Sequence, residues 1–224
     1  MSRPTRSLFV RHAVVAGVMA LATLASLVAA GPACAAADAP FQSAFQSFSQ
    51  ASAGDKSAID AAADAFETLL KAEPANPVLM AYAGASTALK AKNTSMPWKK
   101  MSFAEDGLAQ LDKSLAMLTP AHDAPIQRGT PGALEVRFVA ATTFLAVPAF
   151  MNRAERGAKL LGEVIASPLF ERAPLPFKGA VWMRAATLAA KDERKDDARR
   201  YFNEVIQHAA PQADAARAKL KELA

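Results

Sequence analysis

Few side chains in this sequence could do chemistry, and they are widely spaced. Beyond its first dozen residues the chain holds two histidines, His122 and His208. A metal site would need partners at ligand spacing, such as two histidines one helical turn apart with a glutamate between them, and neither has such a neighbour. A histidine serving as general acid or base needs a partner group beside it. None is in evidence, so each is expected to be solvated or locally hydrogen-bonded. Cys34 is the only cysteine. Gly129 and Gly132 flank Pro131 and belong to a turn, not to a phosphate-cradling loop. A Ser/His/Asp arrangement could be assembled by folding from any serine, but nothing in the spacing points to one. The mixed-charge run from Asp192 to Asp197 is expected to be a solvated turn between helices. No cofactor, metal or catalytic residue is expected.

The remaining candidates are binding residues. Trp98 lies between Pro97 and the pair Lys99-Lys100. Tryptophan is enriched in interface anchors, which makes the three residues 98–100 candidates for partner contact. The competing reading, which the sequence favours, tucks Trp98 against the helices as a plug.

The amino terminus is a targeting segment. Arg3, Arg6 and Arg11 form a basic stretch without an acid, and Ala13 to Ala30 is continuously apolar or small. Ala33-Cys34-Ala35 and Ala35-Ala36-Ala37 both fit a small-residue cleavage rule. Residues 1–37 are therefore read as a secretory signal peptide and residues 38–224 as the folded domain, in the periplasm. The alternatives are a membrane anchor through residues 13–30 and a lipid on Cys34, for which Gly31-Pro32-Ala33 is a poor match. Membrane contact is expected only if the leader is retained or lipidated. Three of the 26 basic side chains belong to the leader, so the part from Asp38 carries a net charge of +2 in place of +5. That balance gives no support to a nucleic-acid partner.

Hydrophobic residues make up 52% of the chain and aromatics 7%, with alanine dominant. Alanine favours helices packed closely through small side chains. From Pro40 onward, apolar residues recur at helical spacing between short breaks. Phe41, Phe45 and Phe48 share a face. Ile59, Ala62, Ala63 and Phe66 mark a second helix, started by Ser57 with Asp60 as a capping-box-like pair. Asn76-Pro77 starts a third helix. Ser102 and Glu105 cap a fourth that carries Leu108, Leu111 and Leu115. A loop follows from Ala121 to Gly132. Leu134, Phe138 and Ala141 give a fifth helix, and Asn152 with Glu155 caps a sixth. Two further helices hold Val181 and Ala185, then Ala198 and Phe202, and a charged helix closes the chain after Pro211. No convincing strand or glycine-rich hairpin is visible.

Two stretches resemble the tetratricopeptide repeat, whose pattern has an aromatic at position 4, small residues at 7 and 8, Ala at 20, an aromatic at 24 and Pro at 32. Counting back from Pro74 places Ala62 at 20 and Phe66 at 24, and the next unit, from Pro77, places Gly84 at 8. Near the carboxyl end Trp182 falls at 4, Ala185 and Ala186 at 7 and 8, Ala198 at 20 and Phe202 at 24. Pro211 sits one residue late, and the units near Pro77 and Pro131 match little beyond hydrophobic spacing. The resemblance implies an all-α fold of antiparallel helix pairs, stacked as a short, irregular solenoid with a C-terminal capping helix. It also implies a groove lined by the first helix of each pair. The groove positions would be Val78, Ala81, Ala85 and Leu89 in one unit, and Ala180, Met183, Thr187 and Lys191 in another. The expected function is a non-catalytic periplasmic scaffold or assembly adaptor binding an envelope protein or peptide. The alternative is a carrier of an apolar small molecule or lipid. An envelope hydrolase would need a nucleophile-base pair that the sequence does not display.

Overall fold

A computed structural model of the chain describes residues 31–223; the basic stretch and apolar run of the expected leader lie outside the described residues. Nine α-helices are present among the described residues: α1 (Gly31–Ala53), α2 (Ala58–Ala72), α3 (Pro77–Lys90), α4 (Pro97–Ala116), α5 (Gly132–Phe144), α6 (Ala154–Ala166), α7 (Leu175–Lys191), α8 (Lys195–Gln207) and α9 (Ala213–Glu222). Neighbours in sequence pack as pairs, α1 with α2, α3 with α4, α5 with α6 and α7 with α8. The last helix, α9, packs against α8 and closes the stack. The fold is all-α, built from antiparallel helix pairs.

The pairs hold together where small residues allow backbones to meet. Gly84 on α3 faces Gly107 on α4 so closely that a Cβ on Gly84 would lie 2.8 Å from the Gly107 carbonyl oxygen. A methyl group has no room there, and that contact fixes the first-to-second-helix distance of the pair. Gly157 plays the same part between α6 and α5, where an added Cβ would stand 3.0 Å from the Ala141 carbonyl. Between layers, large rings fill the gaps. Phe41, Phe45, Phe48, Phe66 and Tyr82 form one aromatic cluster across α1, α2 and α3, with Phe66 and Tyr82 stacked at 4.8 Å. Such pairs add about 0.5–1.5 kcal/mol each beyond the area they bury. Trp182 stacks on His208 at 5.1 Å, and Phe202 is buried in the same core. Phe66, Trp182 and Phe202, the rings at the aromatic positions of the repeat-like stretches, are all buried.

Helix α3 is the central element. Every residue from Pro77 to Ser86 is buried, because α1, α2, α4 and α5 surround it. Its start follows the expected chemistry: Asn76 caps the helix, its side-chain oxygen accepting from the Val78 and Leu79 amides at 3.0 and 3.3 Å.

Several local expectations are corrected. Helix α1 begins before Pro40 and carries that proline within it. Ser57 does not cap α2; its hydroxyl and its amide both donate to Asp55 Oδ1, at 2.6 and 2.9 Å. Helix α4 starts at Pro97, so Ser102 lies inside it and donates to Asp106. Asn152 takes a left-handed conformation (φ 54°) ahead of α6 and does not cap it. The segment before α5 is more than a loop. Pro125–Gln127 (β1) and Thr130–Pro131 (β2) pair antiparallel, joined by Arg128 and Gly129 with φ of 51° and 70°. Positive φ at both central residues is the tight turn that matches strand twist. Its two strands together hold five residues, too short for an alternation pattern to reveal.

Candidate functional site

The first helices α1, α3, α5 and α7 line a half-open trough of about 290 Å³. Its walls are apolar or small: Phe48 from α1, Ala85 and Leu89 from α3, Phe138 from α5, then Ala146 and Val147 just beyond α5. Thr142 and Thr143 also border it. Both hydroxyls donate to the Val139 carbonyl at 2.9 Å, so the helix backbone already occupies their polar ends.

Ser52 and Lys92 also line the trough, and Arg184 of α7 is its half-buried charged group. It borders both this hollow and a smaller one continuing along α7 past Thr187 and Lys191. One guanidinium nitrogen donates to the Thr142 carbonyl at 2.9 Å. The Nε–H is buried with no partner. Burial holds the guanidinium below its ordinary pKa, and no carboxylate of the described residues opposes that effect. An arginine still keeps its charge at neutral pH. No acidic side chain lines either hollow, and Lys92 and Lys191 border the two ends. A partly desolvated, unpaired cation on an apolar floor is costly alone and favours an anion brought in by a ligand.

A second polar group is sealed inside. Glu135 on α5 is 1% exposed. One carboxyl oxygen accepts from the Tyr82 hydroxyl at 2.8 Å, and the other has no partner. Burial pushes its pKa up to about 7, against the opposing effects of the Tyr82 hydrogen bond and the Arg128 charge. Burial and the facing carboxyl likewise push the Tyr82 hydroxyl well above its ordinary value. Arg128 reaches in from the hairpin turn, its guanidinium carbon 3.6 Å from the centre of the Phe45 ring.

The expected groove residues divide. Thr187 and Lys191 are exposed and border the trough's extension, and Ala85 and Leu89 line the trough itself. Val78 is wrong as a partner contact: it is 0% exposed, enclosed by the helices around α3. Ala81 is buried for the same reason. Met183 packs against the core and borders neither hollow. The residue missed on α7 is Arg184, one position on from Met183. Its signal was in the sequence, as the only charged residue between Lys178 and Lys191. Glu135 carried a weaker signal, an acid in the first turn of an apolar helix. Trp98, Lys99 and Lys100 are exposed and border no part of the trough. Trp98 is 68% exposed, which overturns the expectation of a buried plug.

The histidines are engaged elsewhere. His122 closes a reciprocal cap with Thr119, whose amide donates to its Nδ1 at 2.9 Å. His208 lies on Trp182, 3.4 Å from Glu204. The Asp192–Asp197 run spans the turn between α7 and α8 and the first residues of α8, with Arg194 bridging Asp192 and Asp197. No group of three or more potential metal ligands occurs among the described residues. None of their helices is long and apolar enough to cross a membrane.

No family model, curated protein or solved structure matches this chain.

Proposed function

We propose that the protein is a tetratricopeptide-like helical-repeat scaffold or assembly adaptor of the cell envelope. Its trough would receive an apolar segment of a partner that carries a carboxylate for Arg184. The observation that carries this reading is the unpaired, partly buried Arg184 on the apolar floor shared by four first helices. Export is supported by the leader-like residues 1–37. The half-open form of the trough favours a polypeptide segment over a carried small molecule, since carriers enclose most of their ligand's surface. Recognition would follow the groove-docking mode, in which apolar anchors give affinity and one charge fixes register.

Selection from a displayed random-peptide library tests the chemistry directly. Enriched peptides are expected to combine apolar residues with an acidic group and to bind Arg184→Gln at least about tenfold more weakly, as for a lost charge-assisted hydrogen bond. Peptides that bind Arg184→Gln as well as the parent would remove the anchor. A small apolar molecule released from the purified protein in native mass spectrometry would move the reading to a carrier.

A further inference from the structure

We propose that the corner where α4 begins is an attachment site for an anionic lipid surface, independent of the trough. Every residue from Ser95 to Ser102 is exposed. With about 3.6 residues to a turn, more than one full turn of α4 projects beyond the helices around it. A turn exposed on all sides is ordinarily polar. Here it carries Trp98 and Met101, three residues apart and therefore on one side of the helix, with Met96 at the turn's start. Met101 borders a surface hollow together with Phe150, which is 66% exposed. Among the described residues five large apolar side chains stand exposed; Met96, Trp98, Met101 and Phe150 are four of them. The concentration is local.

The charge around the patch selects the occupant. Between Glu73 and Glu105 the chain has no acidic residue and four lysines, Lys90, Lys92, Lys99 and Lys100. Only Lys90 approaches a carboxylate of the described residues, Asp60 at 4.0 Å. The acids near the patch lie further along α4: Asp106 accepts from Ser102, Asp112 is paired with Arg153 and Arg156, and Glu105 borders the hollow that Met101 and Phe150 share. A tryptophan and methionines at a protruding tip, with Lys99 and Lys100 on the same turn, match the layering of a bilayer surface. The apolar tips enter the headgroup boundary and the ammonium groups meet lipid phosphates. A protein partner of standard size would instead call for roughly 800 Å² of complementary surface, which a single projecting turn does not offer.

The tryptophans make the test specific. The chain has two, and Trp182 is buried against His208, so a change in emission on adding vesicles reports Trp98. With the full chain and phosphatidylglycerol-rich vesicles, the emission should shift to the blue, and Trp98→Phe should abolish the shift. Replacing Lys99 and Lys100 by Gln should weaken partitioning on the order of 30-fold, and added salt should weaken it too. These residues touch no core, and unchanged circular dichroism verifies the fold of each variant. Binding without a Trp98 shift, or with no loss in the double lysine variant, would assign membrane affinity to the apolar leader and overturn the proposal. An equal shift with phosphatidylcholine vesicles, or no binding, would overturn it as well.

Discussion

Glu135 and Arg184 are both charges held away from water, and they answer it differently. Glu135 shifts its titration. Its carboxyl ionises near pH 7 in the folded chain and near 4.5 when exposed, because burial disfavours the charged form. Between those values the folded state holds a proton that the unfolded state has released, so stability falls as pH rises through the window and levels off above it. At about 1.4 kcal/mol per pH unit, the loss is on the order of 3 kcal/mol. Glu135→Gln keeps an acceptor for Tyr82 and has no proton to lose. Denaturant midpoints measured from pH 4 to 8 should therefore slope downward in the parent and lie nearly flat in the variant, with the variant the more stable at pH 8. Arg184 cannot release its proton, so its cost persists until an anion arrives. A chloride-free buffer series with added acetate, a bare carboxylate, should raise the melting temperature of the parent more than that of Arg184→Gln.

At the scale of elements, packing depends on how closely two helices approach. Gly84→Ala would drive a methyl into the Gly107 carbonyl, and overpacking of this kind costs about 1–3 kcal/mol. Gly162 lies on the exposed side of α6 with nothing within 4 Å of an added Cβ. Gly162→Ala should therefore stabilise by about 0.5–1 kcal/mol through helix propensity. Opposite signs from the same chemical change, read by thermal unfolding, check the account of the pairs. These elements were largely legible: the apolar stripes located every helix, because a 3.6-residue period with small and large residues leaves few alternatives. The caps were less so. Ser57 matches a capping pattern, yet Asp55 two residues earlier captures both its donors. Ser102 matches as well, but Pro97 starts the helix sooner. Residue types at a cap compete locally, and the winner depends on backbone angles that spacing does not encode. The hairpin escaped notice because Arg128 adopts a positive φ that its residue type does not announce.

At the scale of the molecule, stacking the pairs decides which faces are free. Counting positions from Pro77 placed Val78 on the groove, but α3 is enclosed on all sides and only its second half reaches the trough. Burial of that kind is a property of the neighbours, which one helix's periodicity does not contain. Along α7, Thr187 and Lys191 border the smaller hollow and Met183 does not, since α7 has fewer neighbours and its face is set by its own period. Trp98 departs from expectation for the converse reason: tryptophan is usually covered, and nothing in the local sequence says that the start of α4 projects past the body.

The central claim is that the surface of the first helices, anchored at Arg184, is where a partner segment lies. Photocrosslinking in cells from an unnatural residue at Ala146 or Thr187, compared with one at Lys71 on α2, tests it most directly. Adducts are expected from Ala146 and Thr187, lost when Arg184 is also changed to Gln, and none from Lys71. Adducts that form equally from Lys71, or that survive the Arg184 change undiminished, would contradict it.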